Sequence, residues 1–145
     1  MDFEPSPEIT ALLERVRAFQ DRYVYPNEGA LLGSLDREVK EGVPYPDDLI
    51  EIRKIAKAES LWNLFLPDDE YGPGMNNLDY SMLCEEMGRS PAVAPMAFNC
   101  AAPDTGNTEI LVEHGTDEQK DKWAFPLLEG EIRSCFSMTE PATAG

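Results

Sequence analysis

Cys135-Phe136-Ser137-Met138-Thr139-Glu140-Pro141-Ala142-Thr143-Ala144-Gly145 closes the chain, and its reading decides the fold. From Ile132 the apolar period becomes two, with Ile132, Phe136 and Met138 on one face and Arg133, Cys135 and Thr139 on the other. That is the pattern of a strand, and it ends at Thr139-Glu140-Pro141 followed by small residues. The chain upstream of it reads as helical, so one strand stands without a partner. A lone strand cannot satisfy its backbone donors and acceptors; it pairs within a larger protein or frays.

Working back, Thr116-Asp117-Glu118-Gln119 is a capping box, and the helix it opens carries Trp123, Leu127 and Leu128 before Gly130 ends it. A helix over Gly106–His114 stops at Gly115. Before that, Ser90–Pro103 is rich in Pro, Ala and small residues and is expected to be a loop that packs closely or lines a cavity. Asn76 or Asn77 caps a helix to about Gly88, with Leu78, Met82, Leu83 and Met87 inward and Glu85 and Glu86 outward. Asp68–Gly74 is a polar turn, and Leu61–Pro67 an apolar extended segment pinned to the core. A helix from Pro46 or Asp47 to about Glu59 buries Leu49, Ile52, Ile55 and Ala56 and turns Arg53, Lys54 and Lys57 outward. Ser6-Pro7 starts the first helix, whose apolar positions Ile9, Leu12, Leu13, Val16, Phe19 and Tyr23 carry it to Val24. Pro26 and Gly29–Gly33 are expected to break the pattern, leaving a connector to Gly42-Val43-Pro44 with at most a short helical piece at Leu35–Glu41.

The composition bounds the function. With 145 residues and 42% hydrophobic content the chain is long enough for one domain with a core. Its formal net charge of −16 would be repelled by nucleic acid or an anionic membrane surface, so neither is expected as a partner. Cys84, Cys100 and Cys135 are odd in number and widely spaced, which fits no disulfide framework and no Cys-x-x-Cys metal site. A reducing compartment follows, the cytoplasm or an organelle matrix. The N-terminus shows no export or transit signal, and no apolar run approaches the ~20 residues needed to span a bilayer.

Familiar catalytic constellations are missing from the sequence. His114, the single histidine, stands at a helix end where the dipole favours it, and no spacing gives it metal-binding company. There is no Gly-x-Gly-x-x-Gly and no Walker-type loop. Asp68-Asp69-Glu70 lacks the alternating spacing of a calcium loop. Cys135 and Ser137 have no neighbouring histidine to activate them. The expectation is no metal site and no catalytic residue.

Several short pieces do occur in a telling order: Leu66-Pro67-x-x-x-Tyr71-Gly72-x-Gly74, Glu85-Glu86-Met87-Gly88, Gly115-Thr116-x-x-Gln119-Lys120, Trp123-x-x-Pro126-Leu127-Leu128-x-Gly130-Glu131 and Ser137-Met138-Thr139-Glu140-Pro141. Each is weak alone. As an ordered set they resemble the N-terminal helical domain of the acyl-CoA dehydrogenase family running into the first strand of its middle β-domain. The resemblance covers the chain from about Pro7 and is nearest the branch whose members can be fused to a kinase-like domain. It implies an all-α fold over residues 1–131, with 132–145 the first strand and turn of a truncated β-domain.

Two departures stand out. Tyr71-Gly72-Pro73-Gly74-Met75 replaces the commoner Tyr-Gly-Gly-x-Gly, which touches a turn only. Ala142-Thr143-Ala144-Gly145 replaces Gly-x-Gly-Ser, so the family's substrate contact at that Ser cannot be carried over.

By resemblance, Phe136, Met138 and Thr139 lie against the flavin ring of FAD, with backbone groups and the Thr hydroxyl at its polar edge. The residue types suit this, since a Thr hydroxyl donates and accepts and Ala142, Ala144 and Gly145 allow close backbone approach. The other reading is a Pro-stopped strand end with no ligand. Asn99, Ala102 and Gly106 fall where relatives line the acyl-tail cavity, although a tightly packed core loop reads the same way. The family's base is a carboxylate of the C-terminal helical domain, so Glu140 receives no catalytic role. The full-length protein is then expected to be a homo-oligomeric flavoenzyme that desaturates an acyl-CoA and passes electrons to an electron-transfer flavoprotein. These 145 residues alone are expected to be inactive. An acyl-CoA oxidase-like flavoenzyme and an acidic helical interaction module without cofactor are the alternatives.

Overall fold

Ser6 accepts a hydrogen bond from Ile9 N at 3.2 Å, and Pro7 occupies the first helical position, where a missing N–H costs nothing. This opens α1 (Pro7–Phe19), which buries Ile9, Leu13, Val16 and Phe19. The computed structural model that shows this describes residues 4–41 and 45–143, the backbone alone over 36–41, and divides into two units, Met1–Cys100 and Ala101–Gly145.

In the first unit α1 runs on as a π turn, Gln20–Val24, that keeps Gln20 and Val24 buried. Pro26 does not end the helical course. It sits inside a single 3₁₀ turn, Tyr25–Asn27, and α2 (Glu28–Glu41) follows at once, so a helix of 14 residues stands where a connector was expected. The physical reason is that Pro at the start of a new turn loses only an N–H that would be orphaned anyway. Gly29 and Gly33 face open space, where each costs a helix about 1 kcal/mol. Burial of Leu31, worth roughly 1.5–3 kcal/mol, offsets that. Gly42-Val43-Pro44 lie outside the described residues.

The next helix, α3 (Asp47–Ala58), follows its apolar spacing, burying Leu49, Ile52 and Ala56. Arg53 departs from the expected outward face and is only 5% exposed. Leu61, Leu64, Phe65 and Leu66 are buried as expected of a pinned segment, in irregular turns that place Asn63 at a φ of 54°. The polar turn after it is an Asx turn: Asp68 Oδ1 accepts from Glu70 N at 2.9 Å and Tyr71 N at 2.8 Å. At Gly72 a Cβ would stand 2.5 Å from Leu66 O, so only glycine fits.

Asn76 caps α4 (Asn77–Met87) through Asp79 N at 2.9 Å. Leu83 and Met87 face inward; Leu78 does not, being 44% exposed. Glu86 is buried where solvent was expected, because Arg17 Nε at 2.8 Å and Arg89 Nε at 3.3 Å neutralise it. The proximity of Glu86 in turn raises the Arg17 guanidinium above its ordinary value. The short α5 (Ala94–Ala97) buries Ala94 and Ala97, its flanks Ser90, Val93 and Phe98 are fully buried, and the Phe98 ring lies 5.0 Å from that of Phe19.

In the second unit α6 (Asp104–His114) begins two residues before Gly106 and stops at Gly115. The capping box forms in full: Gln119 N donates to Thr116 Oγ1 at 3.3 Å and Thr116 N donates to Gln119 Oε1 at 2.9 Å. It opens α7 (Asp117–Gln119), which continues through a π turn, Lys120–Ala124, into α8 (Phe125–Glu129). Gly130 ends it at a φ of 73°, a left-handed conformation suited to glycine. Residues 133–139 then run without helix or ladder, and a single antiparallel bridge joins Glu140 to Thr143. The described chain is therefore helical with no sheet, as the all-α reading requires, and the strand-like segment has no partner among the described residues.

Candidate functional site

The first turn of α6 supplies the geometry. Asp104 is 6% exposed, and its Oδ1 accepts from Ser134 N at 2.6 Å and from Ser134 Oγ at 2.7 Å. Arg133 Nε donates to the other oxygen, Oδ2, at 3.4 Å. One turn on, Asn107 Nδ2 donates to Ser134 Oγ at 2.8 Å and to Cys135 O at 3.5 Å. Between these two residues Gly106 faces Phe136: a Cβ there would stand 3.5 Å from Phe136 Cζ. The turn Asp104–Asn107 thus grips the extended segment at its base.

Beyond the grip, Phe136 is 52% and Met138 67% exposed, unusual for side chains of that size and apolarity. Thr139 and Ala142 are exposed too. Phe136, Ser137 and Met138 form a shallow cradle of about 210 Å³. A larger groove of about 640 Å³ is lined by Asn107, Ile110, Leu111, Trp123, Leu127 and Ile132 among others. Ile110 and Trp123 remain about half exposed in it.

The sequence-predicted residues are thus partly assembled. Phe136, Met138 and Thr139 follow one another on the segment, and Gly106 meets Phe136. Ala102 is exposed and precedes Pro103 through a cis peptide bond. Asn99 belongs to the first unit, buried at a φ of 56°, with its amide held by other groups: Arg53 Nη2 donates to its Oδ1 at 3.0 Å and its Nδ2 donates to Asn63 Oδ1 at 2.6 Å. Arg53 also donates to Met96 O at 2.5 Å and lies over the rings of Tyr45 and Trp62, at 4.0 and 4.8 Å from their centroids. Asp104, Asn107 and Arg53 escaped the sequence reading. Asp104 and Asn107 bracket Gly106 three residues apart, a spacing that puts both on one helix face, and that was the signal open to it.

A flavin ring needs an apolar surface against its face and donors and acceptors at one edge. Exposed Phe136 and Met138 offer the first. The Thr139 hydroxyl, and extended backbone without a strand partner among the described residues, offer the second. The residues present fit the group. The Cys100 thiol of the first unit is by contrast quiet: burial pushes it up to about 12, and burial likewise raises the neighbouring Tyr80 phenol well above its ordinary value.

The sequence profile of the acyl-CoA dehydrogenase N-terminal domain matches residues 6–131. Acyl-CoA dehydrogenase family member 10 of Mus musculus is 50% identical over 96% of this chain, which spans 13% of that protein. Acyl-CoA dehydrogenase family member 11 of Gallus gallus is 44% identical over 92% of the chain, which spans 17% of it. A solved structure from Mycobacterium abscessus, itself assigned as an acyl-CoA dehydrogenase, superimposes with a TM-score of 0.85 at 45% identity, covering 97% of this chain and 36% of the other. The chain thus spans well under half the length of the relatives it matches, and the family and branch read from its motifs are theirs. By profile, relatives and structure alike, the chain belongs to the acyl-CoA dehydrogenase family and carries its N-terminal domain.

Proposed function

We propose that these residues are the N-terminal portion of a longer FAD-dependent acyl-CoA dehydrogenase and form one wall of its flavin and acyl site. The observation that carries the reading is the exposed pair Phe136 and Met138 on an extended segment held at its base, with Gly106 against Phe136. When bound, FAD supplies the hydride acceptor for α,β-desaturation of an acyl-CoA thioester. Phe136 and Met138 would cover part of its apolar face and keep water from it, and the Thr139 hydroxyl would hold a polar atom at its edge. Ala102 and Gly106, which carry little or no side chain, leave room for an acyl tail. No residue in the chain is assigned as the base. Electrons would leave to an electron-transfer flavoprotein. The 145 residues by themselves would neither retain FAD nor turn over substrate.

Titration of the full-length protein with FAD tests this. Met138→Ala and Thr139→Ala should each weaken flavin binding, and Thr139→Ser should restore most of the Thr139→Ala loss. Unchanged affinity in both alanine variants would remove the wall from the site.

A further inference from the structure

Asp104 is a buried carboxylate that belongs to no residue class the site needs chemically, yet it makes two short polar contacts to one residue. Its Oδ1 receives both the backbone N–H and the hydroxyl of Ser134, at 2.6 and 2.7 Å. The Ser134 hydroxyl, which donates to Asp104, accepts in turn from Asn107 Nδ2 at 2.8 Å. The polar chain therefore runs Asn107 to Ser134 to Asp104, and it fixes rotation about the Ser134 backbone as well as position. A backbone N–H tied to a carboxylate sets which way the next peptide faces. Because successive strand side chains point to opposite sides, the rotation at Ser134 decides which side of the segment Phe136 and Met138 occupy.

We propose that Asp104 and Asn107 are positioning residues: the first turn of α6 sets the course of Ser134–Thr139 and so the face that Phe136, Met138 and Thr139 present. The link to flavin rests on the function proposed above; the grip itself does not. Touching neither flavin nor substrate, the two residues act through Ser134. The segment needs such a device, since it is exposed from Cys135 onward and forms no ladder among the described residues.

The test uses the full-length protein and two readouts. Amide hydrogen exchange over 134–139, measured without flavin, should rise about tenfold in Asp104→Ala, the loss expected for a charge-assisted hydrogen bond. Asp104→Asn keeps an acceptor for Ser134 N and should restore protection. FAD affinity and the visible circular dichroism of the bound flavin should follow the same order. Should Asp104→Ala fail to fold, Asn107→Ala and Ser134→Ala, both at half-buried positions, should show smaller changes of the same sign. Exchange unchanged over 134–139 in these variants overturns the proposal, and raised exchange with unaltered flavin affinity and dichroism overturns its bearing on the site. If the wild-type protein takes up no flavin, the function proposed above fails, while the exchange result still decides whether the turn holds the segment.

Discussion

Gly106 faces the ring of Phe136 so closely that a Cβ on it would stand 3.5 Å from Phe136 Cζ, an ordinary van der Waals contact. The two residues came from separate expectations, one for an acyl lining and one for a flavin wall, and the fold puts them side by side. Gly106→Ala should therefore be accommodated. In the first turn of α6 it should stabilise slightly, by less than the roughly 0.5–1 kcal/mol of a helix interior. Gly106→Val adds, beyond that Cβ, two methyl groups where the ring would already be in contact and should displace Phe136, weakening FAD binding about tenfold, within the usual range for overpacking. Thermal melts paired with flavin titration separate the two effects.

Arg53 should be sensitive to any replacement. Arg53→Met leaves Asn99 Oδ1 and Met96 O without this donor and strips the stacking on Tyr45 and Trp62. The expected loss is about 2–3 kcal/mol in urea unfolding. Arg53→Lys keeps the charge and loses the planar fork that spans two acceptors, so it should fall between.

What was legible in the sequence was whatever depends on neighbours in the chain. The box at Thr116 and Gln119, the Ser6 and Asn76 caps and the stop at Gly130 are all set within a few residues, and all form. What was not legible depends on distant partners. Arg53 is buried because Asn99, 46 residues away, accepts from it, and Glu86 because Arg17, 69 residues away, donates to it. Read on their own helices, both look like solvent-facing charges. The helix α2 was missed for another reason: Pro26, Gly29 and Gly33 are breakers by propensity, and burial of Leu31 outweighs them. Within the site, the segment 136–139 and Gly106 were visible as motif and small residue, whereas the hold of Asp104 on Ser134 crosses 30 residues and left no local pattern.

The three thiols should separate by reactivity. Cys84 and Cys135 are exposed and Cys100 is buried. With Cys100 at about 12 against its ordinary 9.0, its thiolate fraction near neutral pH is about a thousandfold below that of a normal cysteine. A native-state titration with a thiol reagent should count two fast groups and one slow one. The same shift has a sign for stability. Burial favours the protonated thiol in the folded state, so its contribution is complete below pH 9 and is lost as pH rises toward 12, where the unfolded chain has already released the proton. Cys100→Ala should flatten that part of the pH dependence of unfolding.

Thr116→Ala removes one half of the capping box and should cost about 1 kcal/mol. Thr116→Ser keeps the hydroxyl cap at an exposed position and should be close to neutral. Helical circular dichroism through a denaturant titration measures both.

The most direct measurement is the visible spectrum of the full-length protein, purified with FAD and mixed anaerobically with an acyl-CoA, beside the 145-residue chain treated alike. The full-length protein should keep its flavin and acyl-CoA should bleach it, with Phe136→Ala impairing both, while the isolated chain should do neither. Bleaching by the isolated chain, or a full-length protein that holds no flavin, would contradict the proposed function.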